Sequence, residues 1–138
     1  MRRVFKTKAF TRSIKKSGLT DQALCDAVSE MERGLIDADL GGWVVKKRVA
    51  LPGRGKSGGA RTLLATNRTD RWFFVYGFKK NDKANVTEQE LEALKMLAKD
   101  LLAFSPDQLD EAGKAGELKE ICDERADTGE EPNSGKRP

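Results

Sequence analysis

Trp43-Val44-Val45-Lys46-Lys47-Arg48-Val49-Ala50-Leu51, the loop Pro52-Gly53-Arg54-Gly55-Lys56-Ser57-Gly58-Gly59-Ala60, and then Arg61-Thr62-Leu63-Leu64-Ala65-Thr66-Asn67-Arg68 and Arg71-Trp72-Phe73-Phe74-Val75-Tyr76-Gly77-Phe78 decide how this chain reads. The first run alternates with period two, so Trp43, Val45, Lys47, Val49 and Leu51 fall on one face and Val44, Lys46, Arg48 and Ala50 on the other. The last run is apolar on both faces, as in a strand covered from two sides. Asn67-Arg68-Thr69-Asp70 has turn composition. Three strands joined by short connections predict an antiparallel meander. Trp43, Trp72, Phe73 and Phe74 read as core, because strand aromatics pack. Tyr76 reads as core with a satisfied hydroxyl, a stacked nucleotide being the alternative.

Working outward, Arg3 to Thr7 predicts a short first strand, and Phe10 and Ile14 make an i,i+4 helical pair before Gly18. Thr20 is a predicted N-cap with Asp21 in the first turn, and Leu24, Ala27, Val28 and Met31 form a helical stripe ending near Gly34. Ser17-Gly18-Leu19 joins the two as an αα-hairpin. Downstream, Thr87 and Glu90 spell a capping box before Leu91, Leu94, Leu97, Ala98, Leu101 and Leu102. Ser105-Pro106 opens another helix, and Gly113 and Gly116 each weaken it by up to about 1 kcal/mol against Ala. The expected fold is α+β: a small antiparallel β-sheet of the first strand plus the three-stranded meander, an N-terminal αα-hairpin and C-terminal helices, all on one face. The expected organisation is one domain over residues 1–104, an additional helix over 105–123 and a disordered acidic, polar tail over 124–138.

The chain has 138 residues, 26 Lys and Arg, 22 Asp and Glu, and no histidine. The absence of His excludes imidazole acid–base chemistry, Ser-His-Asp and Cys-His catalysis and His-ligated metal. Cys25 and Cys122 are too few for a disulfide framework, and Cys25, bordering an apolar stripe, is expected to pack as a small hydrophobe. With no run of about 20 apolar residues and no leader-like segment, the chain reads as a soluble, unexported, cytoplasmic protein with no membrane partner. Its net charge of +4 hides a division. Residues 1–83 carry 19 cations against 8 acids, and residues 84–138 carry 7 against 14. A basic front and an acidic rear point to an anionic partner engaging the first part.

Lys46, Lys47, Arg48, Arg54, Lys56 and Arg61 span sixteen residues with no carboxylate between them. Gly55-Lys56-Ser57 is not a nucleotide-hydrolysing P-loop, because Ala50 stands where that motif needs glycine and Gly58-Gly59 leads into a strand. What remains is a glycine loop bearing cations, suited to a polyanion: glycine lets backbone N–H groups approach phosphate, and arginine offers it a planar fork. Among cellular polyanions, RNA brings its own nucleophile, the 2′-hydroxyl. Cleavage then needs a base, a stabilised phosphorane and a protonated leaving oxygen, and no cofactor or metal. Lys56, beside Arg54 and Arg61, is the candidate base, its pKa open to lowering by neighbouring cations. Arg61 is the candidate phosphorane stabiliser and Lys80 the candidate acid. Lys46, Lys47, Arg48, Arg54, Ser57 and Lys79 are the candidate phosphate contacts.

These residues resemble a known family. Arg54-Gly55-Lys56-Ser57-Gly58-Gly59-Ala60-Arg61, Phe74-Val75-Tyr76-Gly77-Phe78-Lys79-Lys80-Asn81 and Ala84-Asn85 look like the RelE/HigB-type toxins of bacterial type II toxin–antitoxin systems, over about residues 3–104. The resemblance implies a small sheet flanked by helices, mRNA cleavage commonly in the A site of the 70S ribosome, and a cognate antitoxin. It puts the family's basic loop residues on Arg54 and Lys56, its phosphate-contacting arginine on Arg61, and its late-strand basic residue on Lys79 or Lys80. The chain departs from the family at Ala60, where relatives often carry an aromatic, and in lacking a C-terminal tyrosine. Two other readings follow from the same residues: a ParE-like toxin acting on DNA gyrase, and a non-catalytic nucleic-acid-binding module.

Overall fold

In a computed structural model of the chain, the described residues are 2–53, 55–80, 83 and 85–122, with the side chains of 55–57 also outside the description. The predicted tail, Arg54, Asn81 and Ala84 lie outside it. Ten elements follow in order: β1 (Arg3–Thr7), α1 (Lys8–Ser13), α2 (Asp21–Glu32), β2 (Ala38–Gly41), β3 (Val44–Leu51), β4 (Gly55–Thr66), β5 (Arg71–Lys79), α3 (Glu88–Leu102), α4 (Pro106–Lys114) and β6 (Leu118–Ile121).

Local chemistry sets the helix starts. The Thr7 and Thr20 hydroxyls accept from the backbone N–H groups of Phe10 and Ala23, each at 3.1 Å, opening α1 and α2. Thr87–Glu90 and Ser105–Gln108 both form complete capping boxes on α3 and α4.

The strands form one six-stranded sheet in the order β2-β3-β4-β5-β1-β6. The meander β3-β4-β5 is antiparallel as predicted, but β1 pairs parallel to β5, with Val4 opposite Trp72 and Phe5 opposite Phe73. The sheet is therefore mixed and larger than expected, with β2 and β6 added at its edges. The segment read as the end of the last helix is instead β6, and β4 begins at Gly55 within the expected loop.

Helices cover both faces rather than one. Alternation along the strands divides the apolar side chains into two cores. One packs Val45, Val49, Ala60, Leu64, Trp72 and Phe74 beneath α1 and α2. The other packs Val44, Leu63, Ala65, Phe73, Val75 and Phe78 against α3 and α4. A shift at Leu63/Leu64 in the β4–β5 register accommodates Val75 as an extra β5 residue, which keeps both strands in phase with their cores.

One sequence expectation fails here and another is incomplete. Trp43 is 60% exposed, not core: it sits with Gly42 at the β2–β3 turn, both at positive φ (68° and 59°), as a two-residue hairpin turn requires. Cys25 packs against the α1–α2 core as expected, but it is also disulfide-bonded to Cys122, a bond not expected from the sequence, tying α2 to the residue after β6 across 97 positions.

Candidate nucleic-acid interface

Register decides which cations meet. Across β3, β4 and β5, Arg48 lies opposite Arg61 and Arg61 opposite Phe78; in the next row of that face, Lys46 lies opposite Leu63 and Leu63 opposite Tyr76. Leu63 and Phe78 belong to the α3-side core. Lys46, Arg48, Arg61 and Tyr76 therefore share the α3 side of the sheet, beyond the part those helices cover.

Lys47 and Lys79 go the other way. Lys47 pairs with Thr62 and Lys79 with Ala60, on the α1–α2 side. Lys47 is buried: its Nζ lies 2.8 Å from a Glu30 carboxylate oxygen and donates to the Leu35 carbonyl at 2.7 Å. The structure does not bring it to the face that carries Arg48 and Arg61; it fastens α2 to the sheet. Lys80 is exposed in the turn after β5. Lys56 and Ser57 have their backbone in β4, and Arg54 lies outside the described residues.

Two like charges directly opposite, Arg48 and Arg61, repel each other, so the arrangement runs against local strand stability. Part of that repulsion is offset by Asp37, whose carboxylate accepts from the Arg48 backbone N–H at 2.6 Å and from its Nε at 3.3 Å. Arg61 has no such ion pair among the described residues. Its Nη1 is buried and has no hydrogen-bond partner among the described residues. A buried guanidinium nitrogen left unpaired calls for an explanation, and an anionic ligand supplies one.

A further cation joins this face that sequence reasoning missed. Lys83 lies 5.8 Å over the Tyr76 ring and donates to both Glu90 oxygens at 2.6 and 2.7 Å. Its hydrogen bond to Glu90 holds the ammonium above the ordinary lysine value and Glu90 below the usual carboxylate range. Lys83 is thus a fixed positive charge rather than a base. Only its distance from the loop in sequence hid it. Asp37 escaped for the same reason.

The acidic C-terminal helix does not lie over these cations. It packs beside β6, where Asp110 and Glu120 hold Arg3 at 2.8 and 2.9 Å. Among the described residues, no group of three or more Cys, Asp or Glu is arranged to hold a metal ion, and no helix is long and apolar enough to cross a membrane.

The family described as "RelE toxin of RelE / RelB toxin-antitoxin system" matches residues 2–121. The chain belongs to the RelE toxin family. It is therefore the toxin of a toxin–antitoxin system, with a cognate antitoxin as its partner. The match extends through α4 and β6. No curated protein matches the chain closely enough to be counted as a relative.

Proposed function

We propose that this RelE-family toxin is an mRNA endoribonuclease, acting on the 70S ribosome in the cytoplasm, that cleaves by attack of the RNA 2′-hydroxyl on the adjoining phosphorus. The observation that carries the reading is Arg61: a half-buried guanidinium whose Nη1 is buried and has no hydrogen-bond partner among the described residues, opposite Arg48 and in line with Lys46 on one sheet face. Arg61 stabilises the charge that develops on the non-bridging oxygens. Lys46, Arg48, Arg54 and Ser57 hold the flanking backbone, Lys56 takes the 2′ proton and Lys80 returns one to the 5′ oxygen. Because the nucleophile belongs to the substrate, the scheme uses only cationic side chains and requires no metal or cofactor.

The test is a short pulse of expression followed by sequencing of RNA 5′ ends and analysis of 3′ termini. Messages cut within open reading frames and bearing 2′,3′-cyclic phosphates are expected, and Lys56→Ala abolishes them. Arg61→Ala should lower the cleavage rate about 100-fold, the effect of one oxyanion donor of about 3 kcal/mol, with less than a tenfold loss of ribosome affinity. Intact messages accompanied by double-strand DNA breaks would overturn the reading in favour of gyrase. Growth without arrest would leave only a binding module.

A further inference from the structure

We propose that Tyr76, with Lys83 held over its ring by Glu90, is the subsite for the nucleobase next to the phosphate engaged by Arg48 and Arg61. The inference rests on the RNA-cleaving reading of this face and assigns it a second element, one that grips the base rather than the backbone.

The choice of Tyr76 follows from the register. Ala60, the residue preceding the key arginine, is fully buried in the opposite core, so a stacking ring on this surface must come from another strand. Phe78 lies directly opposite Arg61 but is itself buried. Tyr76 is the next residue on that face, diagonal to Arg61, at a separation of about 7–8 Å between backbones that long and aromatic side chains bridge. It is half-buried, braced by Phe78 with ring centroids 6.0 Å apart. Among the described residues, Trp43 also exposes a ring, but at the β2–β3 turn, outside this row of residues.

Lys83 gives the platform its chemistry. Its ammonium already sits over the ring at cation–π distance, and Glu90, which also accepts from the Thr87 backbone N–H at 2.8 Å, anchors it to the start of α3. A base settling beside Tyr76 meets a π-face and a fixed donor for its ring nitrogens or carbonyl oxygens. Stacking on an aromatic tolerates sequence, because every base has a π-face.

Binding of the full chain to a fluorescent single-stranded RNA hexamer, and to a ribose-phosphate hexamer without bases, separates the two elements. Tyr76→Leu should weaken binding of the RNA about tenfold and of the abasic strand less than twofold, while Tyr76→Phe stays within twofold for both. Lys83→Gln, checked to be folded by circular dichroism, should also lower the preference for RNA over the abasic strand. Arg61→Ala should weaken both ligands alike. Equal losses for the two ligands in Tyr76→Leu and Lys83→Gln, or none, would overturn the base subsite while leaving the RNA reading standing. Failure of the unsubstituted protein to bind either strand would overturn this subsite, whereas the RNA-cleaving reading itself stands or falls on the messages cut after pulsed expression.

Discussion

Reducing the Cys25–Cys122 bridge is the sharpest perturbation the fold offers. The two residues are 97 positions apart, so the bond closes a loop containing, among the described residues, five of the six strands and two of the four helices in full, with most of a third. In the chain-entropy treatment, a loop of that length removes about 4.7 kcal/mol of freedom from the unfolded ensemble. Domains of this size are stable by only about 5–15 kcal/mol, so reduction should consume a large part of the total. With a urea slope of about 2 kcal/mol per molar, the midpoint falls by about 2 M. The assay is urea unfolding followed by far-ultraviolet circular dichroism, with and without a thiol reductant, and with Cys25→Ser as the permanently reduced reference. Coincident midpoints for the oxidised chain and Cys25→Ser would refute the loop argument, as would two titratable thiols in the untreated native protein. Because cytosolic thiol buffers keep such bonds open, the same measurement gives the stability of the reduced form on which the proposed cytoplasmic activity would depend.

Three other outcomes are expected. Lys47→Met should destabilise the protein by about 2–3 kcal/mol, less than the full cost of breaking a deeply buried pair because Glu30 keeps some solvent contact, and should leave RNA affinity unchanged; chemical denaturation and anisotropy read the two effects. Trp43→Asn, placing a residue that tolerates the left-handed region at φ 68°, should raise stability by about 1 kcal/mol, seen as a higher Tm. The third outcome concerns pH. Glu90, lowered by its bond to Lys83, and Asp70, lowered by Asn67, add stability that is present above the unfolded carboxylate range and lost as pH falls through their depressed folded values. Lys83, raised by Glu90, adds stability complete below its ordinary value near 10.5 and lost as pH rises through the raised folded one. Glu90→Gln should therefore flatten the Tm profile at both ends.

The parts of this fold that were legible are those fixed by neighbours in sequence. Thr87 with Glu90, Ser105 with Pro106, and the alternation from Val44 to Leu51 each name their element without help from elsewhere. What escaped depended on distant partners. In β2 and β6 only Leu40, Leu118 and Ile121 are large and apolar, too few to signal a strand until β3 and β1 supply hydrogen bonds. The parallel pairing of β1 with β5 joins segments nearly seventy residues apart. For the site, the cations of β3 and β4 were visible as a cluster, but not their division between faces. Lys47 stands in an apolar stripe between Val45 and Val49, and only Glu30, brought over by α2, accounts for a charge there. Likewise, the position of Lys79 opposite Ala60 depends on the shift that absorbs Val75.

Because Lys46 and Arg48 face one way and Lys47 the other, the cationic candidate surface and the opposite core are separated by a single step along β3. A one-residue slip in a strand exchanges its two sides. The gene should thus absorb many exchanges of one amino acid for another in β3, provided each keeps its side. Adding or removing one codon between the start of β3 and Lys46 would turn Lys46 and Arg48 inward and, on the proposed function, disarm the toxin without altering a single charged residue.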